Sequence, residues 1–288
     1  MKCIVLLAIA VAAWGQERLT IGPLGVPVGP NDRASCVSLS EDGALVVFQL
    51  RRTDGHGGAD LWFSQKRNGQ WSAPYNPGPG INTAANEVDG KLSPDGKTLV
   101  FIRGADFKQS SAIYISRFRD GQWATAEPVG EPVNMPGTLQ FGALLTSNGQ
   151  RLYFSSNRSG GLGGLDVYYS DRKGDGWGAP VNLGAPINTP GDDGDISLNR
   201  DGTTIVFPAR GLENSFGGVD LYISRRGENG WMPPVNLGPR INTAGNDSCP
   251  WLGYDGRTLY FNSDWDGLVA GHPGKSSVIL QLRYTPGF

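Results

Sequence analysis

The chain has 288 residues and a formal charge of −2. With its basic residues spread along the chain, that balance excludes a nucleic-acid partner, because phosphate binding needs clustered Lys and Arg. Gly (43) and Pro (20) make up about a fifth of the residues, above the usual ~12%, and without a three-residue period they mark tight turns between short strands.

The chain opens on what reads as a secretory leader, residues 1–15. Lys2 gives a positive start, residues 4–13 form an apolar run, and Ala13 and Gly15 are the small residues expected before a cut at Gln16. The run is too short to span a bilayer. Cys3 precedes it, so no lipoprotein-type anchor is expected. The sequence predicts export to a periplasm-like or extracellular space, and a mature chain without a membrane span.

From there one unit recurs. Asp42, Asp95, Asn148, Asp201 and Asp255 each precede a Gly, at steps of 53, 53, 53 and 54 residues. The phrases that follow are DGALVVF, DGKTLVF, NGQRLYF, DGTTIVF and DGRTLYF. A strand-rich unit of this length points to a β-propeller. In the fourth copy, residues 196–198 read as the inner strand and 203–207 as the second. A Gly-rich loop leads to a third strand at 221–226, and Asn229-Gly230 turns the chain into an outer strand near 234–238. Trp71, Trp123, Trp177 and Trp231 fill one post-turn slot and read as packing residues. The last copy ends without an outer strand. Leu24-Gly25 stands 18 residues before Asp42, as Leu237-Gly238 stands 18 before Asp255, so residues 17–28 are expected to complete it. The predicted fold is all-β: residues 16–288 form a single five-bladed β-propeller with four-stranded blades, the ring closed by the N-terminal strand.

The phrase LSPDGKTLVF (residues 92–101) resembles the Pro-Asp-Gly repeats of WD40-like propellers of the TolB type. The longer phrase YFSSNRSGGLGGLDVYYSDRKGDGWGAPVNLGAPINT (residues 153–189) resembles the propeller repeats of OmpA-type envelope proteins. The resemblance covers nearly all of the chain after the leader and implies the propeller fold and, by analogy with TolB, a place in an envelope complex.

The repeat register also places chemistry. Eight residues before each turn stand Ala34, Glu87, Gln140, Asp193 and Asp247; six before stand Cys36, Asp89, Gly142, Asp195 and Cys249. Arg51, Arg103, Arg158 and Arg210 follow the second strands, with Asp264 in the last copy. The candidate ligand-binding set is therefore Glu87, Asp89, Asp193, Asp195 and Asp247, rimmed by Arg103, Arg158 and Arg210 at the channel mouth. The preferred reading of these acids is that they cap loop amides and pair with the arginines; a mouth for a polar ligand, glycan or peptide, stands second. No cofactor is expected; calcium at Asp192-Asp193-Gly194-Asp195 is the minor alternative. His56 and His272 lack the further ligands zinc would need. Asp60, Asp166 and Asp220 in the GGxD phrases read as caps of loop amides. Export would permit a Cys36–Cys249 disulfide, but copies related by rotation point each side chain at its neighbour's back, which argues against the bond.

The expected function is an exported, monomeric, non-catalytic propeller binding a protein, peptide or glycan at the channel mouth. One alternative is a five-bladed glycoside hydrolase, whose two carboxyl groups would come from these acids. Another is an envelope-complex scaffold of the TolB kind.

Overall fold

The evenly spaced Asp/Asn-Gly pairs fold as the turns that set the repeat. The structure, a computed structural model, describes residues 18–29, 32–264 and 278–285; the leader at 1–15 and His272 lie outside the described residues. Asp42 Oδ1 accepts from Ser40 Oγ at 2.6 Å and from the Ala44 amide at 2.9 Å. Asp95 repeats this with Ser93 and Lys97, and Asn148 with Thr146 and Gln150. The hydroxyl and amide donors hold the Asp42 and Asp95 carboxyls below the usual range. Gly43, Gly96, Gly149, Gly202 and Gly256 follow with φ of 64–70°, the region a side chain disfavours. Each turn thus closes on its own side chain.

Around these turns the strands form blades. Blade I (residues 35–75) contains Ser35–Leu39, Leu45–Leu50, Asp60–Arg67 and Gln70–Trp71. Blade II (residues 86–128), blade III (residues 140–182) and blade IV (residues 197–236) follow in chain order. A further sheet is composite: Asp247–Leu252, Thr258–Ser263 and Val278–Thr285 pair in order, and Arg18–Pro23 adds antiparallel to Val278–Thr285, with Arg18 opposite Thr285.

The expectation of a five-bladed ring of four-stranded blades is corrected on both counts. Four blades are each built from one continuous run, while the remaining sheet is assembled from both ends of the described chain. Blades II, III and IV have five strands, not four. In blades III and IV the outer strand is split into Gly176–Trp177 and Val181–Asn182, and into Gly230–Trp231 and Val235–Asn236; both pieces of each pair with the same third strand. Pro180, Pro233 and Pro234 stand in the breaks, where a residue without an N–H cannot carry the ladder.

Alternation along the strands feeds different cores. On Leu45–Leu50, Val46, Phe48 and Leu50 enter one buried cluster, while Val47 enters another with Leu61, Phe63 and Phe101 of blades I and II. Trp123 of blade II packs its ring 5.3 Å from that of Phe63. A fully buried aromatic such as Phe63 or Phe101 stabilises the fold by about 1.5–3 kcal/mol through removal from water. No helix among the described residues is long and apolar enough to cross a membrane.

Candidate functional site

The loops that enter the inner strands of blades II and IV and of the composite sheet carry the phrase INT, and each residue of it has a task. Ile81, Ile187 and Ile241 are buried. The next Asn lies against the preceding third strand and makes two bonds to one residue: Asn188 Oδ1 accepts from the Val167 amide at 2.8 Å, and Asn188 Nδ2 donates to the Val167 carbonyl at 3.0 Å. Asn82 does the same with Leu61, Asn134 with Ile113 and Asn242 with Leu221. The Thr is held by the acid four residues on. Glu87 accepts from the Thr83 amide at 2.9 Å and the Thr83 hydroxyl at 2.6 Å. Asp193 does so from Thr189 at 2.6 and 2.9 Å, and Asp247 accepts the Thr243 amide at 2.7 Å. In the loop into blade III, Met135 follows the Asn and Gln140 replaces the acid, bonding Thr138 Oγ1 instead.

Glu87, Asp193 and Asp247 are therefore all but fully buried, their oxygens engaged by their own loops. Burial pushes the Asp193 and Asp247 carboxyls up, and the Thr donors pull them partly back. Arg103 Nε completes the Glu87 cluster at 2.8 Å, with its guanidinium 4.2 Å from the Tyr114 ring centroid. Arg158 donates to the Pro132 and Val133 carbonyls at 3.2 and 2.6 Å and lies over Phe154 and Tyr168. Arg210 is exposed and reaches the Gly218 carbonyl at 3.4 Å. The candidate residues thus fall into separate loop networks, with one exception.

The exception is Asp89 and Asp195, which meet near the propeller axis. Inner strands carry β-bulges between Ser35 and Ser38, Val88 and Lys91, Phe141 and Leu144, and Ser248 and Trp251. Within this slot Cys36, Asp89, Gly142, Asp195 and Cys249 all have φ of 51–56°. A bulge residue in this conformation re-aims its side chain. Ligand atoms of Cys36, Asp89, Asp195 and Cys249 lie within 4.8 Å of one another. Cys36 and Cys249 are bonded, with Cα atoms 4.9 Å apart. This corrects the argument against the bond, which assumed ordinary extended strands: the left-handed turn at both residues replaces that side-chain direction. Lys91 Nζ, on a side chain 1% exposed, lies 3.6 Å from Asp195 Oδ1. Burial pushes Asp89 up and Asp195 up to about 7, with the Lys91 ammonium opposing both shifts.

The calcium alternative fares differently. Asp192 Oδ1 accepts the Leu165 amide, Asp193 holds Thr189, and Asp195 joins the axial group, so the three carboxylates do not converge on one point.

The outer loops hold residues that the sequence reading did not single out as contacts. In each GGxD phrase the buried Asp accepts the amide four residues earlier: Asp60 from His56 at 2.7 Å, Asp166 from Leu162 at 2.9 Å and Asp220 from Phe216 at 2.6 Å. A Cβ at Gly163 or Gly217 would collide with the Gly191 or Gly245 carbonyl, so these loops are seated tightly on the next INT loop. The residue above each pin is exposed: His56, Leu162 at 56% and Phe216 at 46%. A constant pin below a changing, exposed side chain is a signal the sequence carried. Phe216 also walls an open groove of about 600 Å³ with Leu212, Glu213, Tyr222 and Asn236.

Among solved structures the chain is similar to TolB from Acinetobacter baumannii, at 15% identity and a TM-score of 0.54, covering 89% of this chain and 55% of that one. It is similar to the catalytic domain of a GH62 α-L-arabinofuranosidase from Coprinopsis cinerea, at 13% identity and a TM-score of 0.59, covering 93% of this chain and 97% of that one. An α-L-arabinofuranosidase from Lactobacillus brevis gives 10% identity and a TM-score of 0.61, covering 90% and 92%. No family model matches the chain, and no curated protein matches it. At these identities the likeness is one of fold: an all-β propeller, with TolB-type propellers among its structural neighbours.

Proposed function

We propose that the protein is an exported, non-catalytic binding propeller whose GGxD loop face takes a protein or peptide partner bearing apolar side chains. The observation that carries this reading is the shared slot of His56, Leu162 and Phe216. Three loops are fixed by the same buried Asp, yet each presents a different exposed side chain. Rigid support under variable tips is how loops serve recognition, and two exposed apolar tips favour an apolar contact. The leader-like residues 1–15 support export. A TolB-like scaffolding role is a form of the same reading, since it also needs a protein partner.

The hydrolase alternative needs two carboxyl groups about 5–9.5 Å apart and open to substrate. Glu87, Asp193 and Asp247 are turned into their own loops, which weighs against it. Asp89 and Asp195 share their space with a disulfide and Lys91.

The test is a displayed-peptide selection beside a glycan array, each repeated with the His56→Ser/Leu162→Ser/Phe216→Ser variant. The reading expects peptide binders that weaken at least about tenfold in the variant, with Tm unchanged. Binding only to glycans, or peptide binding indifferent to all three substitutions, would overturn it.

A further inference from the structure

The axial group has a composition that loop capping does not explain. Two sulfurs and two carboxylates come from three blades and the composite sheet, on residues 36, 89, 195 and 249 that are far apart in the chain. Ser, Asn or Gly would satisfy a bulge as well. A second observation points into the same space. Lys91 is 1% exposed and directs Nζ at Asp195 Oδ1, 3.6 Å away; among the described residues neither atom has a hydrogen-bond partner within ordinary distance.

Charge shows what the group could hold. With the disulfide closed and both acids ionised, two carboxylates face one ammonium, a net of −1. Reduction and ionisation of both sulfurs bring the net to −3. A divalent cation returns it to −1. The donors suit a borderline-soft ion: thiolates bind zinc at about 2.3 Å and carboxylates at about 2.0–2.2 Å, in a tetrahedron. Ligand atoms already within 4.8 Å of one another need only short movements to reach such an arrangement. Calcium, which takes six to eight oxygens, is unsuited to it. Lys91, beside Asp195, would orient that carboxylate from outside the metal shell.

We propose that the axial cluster is a thiol-gated zinc site, closed by the Cys36–Cys249 disulfide and, once that bond is reduced, holding one Zn²⁺ on both cysteines, Asp89 and Asp195. Opening it takes two electrons and two protons. A phosphine reductant supplies the electrons and ends as the phosphine oxide, taking its oxygen from water, and the two protons of that water complete the two thiols. Each thiol then releases its proton to solvent as it ligates the metal. Asp195, whose side chain is 18% exposed, marks the side open to reductant and ion.

The test uses the full chain, oxidised and phosphine-reduced, desalted without air and titrated with Zn²⁺ against a chromophoric chelator. Co²⁺ is added in parallel to report geometry. The proposal expects one Zn²⁺ per reduced chain, none per oxidised chain, and tetrahedral cobalt bands with thiolate charge transfer. Asp89→Asn and Asp195→Asn should each weaken zinc by more than the ~10–100-fold that loss of an outer-shell partner costs. The oxidised chain is itself the folded control, so the test does not depend on a cysteine variant folding. Equal zinc binding by both redox forms, no binding by the reduced form, or affinity unchanged in both Asp variants would overturn the assignment.

Discussion

Replacing Glu87 tests whether the acids at the channel mouth are architecture. The Glu87 carboxylate is fully buried and accepts the Thr83 amide, the Thr83 hydroxyl and Arg103 Nε at 2.9, 2.6 and 2.8 Å. Glu87→Ala leaves two donors of Thr83 unmatched and strips Arg103 of its carboxylate. Breaking a buried pair by removing one partner costs about 3–5 kcal/mol. The Arg103 side chain is 17% exposed and keeps its bond to the Ile81 carbonyl, so water relieves part of this, and the low end, about 3 kcal/mol, applies. Glu87→Gln keeps the shape and one acceptor, and should cost about 1.5 kcal/mol, the value of a charged hydrogen bond. At about 2–4 °C per kcal/mol for a chain of this size, calorimetry should find Tm lowered by about 6–12 °C for Ala and 3–6 °C for Gln. Any partner bound by the outer loops should keep its affinity. Variants that melt with the wild type, or that lose affinity while Tm holds, would refute the reasoning and return Glu87 to the ligand.

Other consequences follow from the same geometry. Burial raises the Asp60 carboxyl, with the His56 amide pulling it back and Glu87 adding to the rise. The fold therefore binds that proton more tightly than the unfolded chain. Stability should fall as pH climbs from about 3.9, the unfolded value, to the raised folded one, and level off above it. Asp60→Asn should remove that part of the slope in pH-dependent melts, and an unchanged slope would count against it. At Gly142 a Cβ would stand 2.6 Å from the Asp195 amide nitrogen at φ +56°, so Gly142→Ala should cost at least about 2 kcal/mol by denaturant titration, and a neutral result would deny the close approach. Deleting residues 18–23 uncovers the ladder edge of Val278–Thr285 and should produce aggregation by light scattering, whereas a truncated chain that stays monomeric and melts normally would contradict the pairing.

The turn period was legible because its cause is local: a side-chain oxygen and a Gly at positive φ make the same turn wherever they occur. The caps at Asp60, Asp166 and Asp220 were legible for the same reason. What depended on departures from regular strands was not. Pro180, Pro233 and Pro234 break the outer strands, so counting one outer strand per unit undercounted the pieces. The pairing of the two chain ends was legible, because Leu24-Gly25 keeps the register of Leu237-Gly238, and Arg18–Pro23 does complete the sheet of residues 247–285; the count of five blades was not. At Cys36 and Cys249 the side-chain direction was reasoned from alternation, and the left-handed bulge overrides alternation. The same left-handed conformation at Asp89 and Asp195 parts them from Glu87, Asp193 and Asp247, which two-residue spacing had placed together. The Thr four residues before each of those three acids was the available signal that they serve their own loops.

The central claim is that the GGxD loops are the recognition face. Amide hydrogen exchange on the chain with and without its best selected peptide tests it most directly. The account predicts slowed exchange at residues 52–59, 157–165 and 210–219, with the Asp-Gly turns at 41–44, 94–97 and 200–203 unchanged. Protection confined to those turns, with the three loops exchanging as in the free chain, would contradict it.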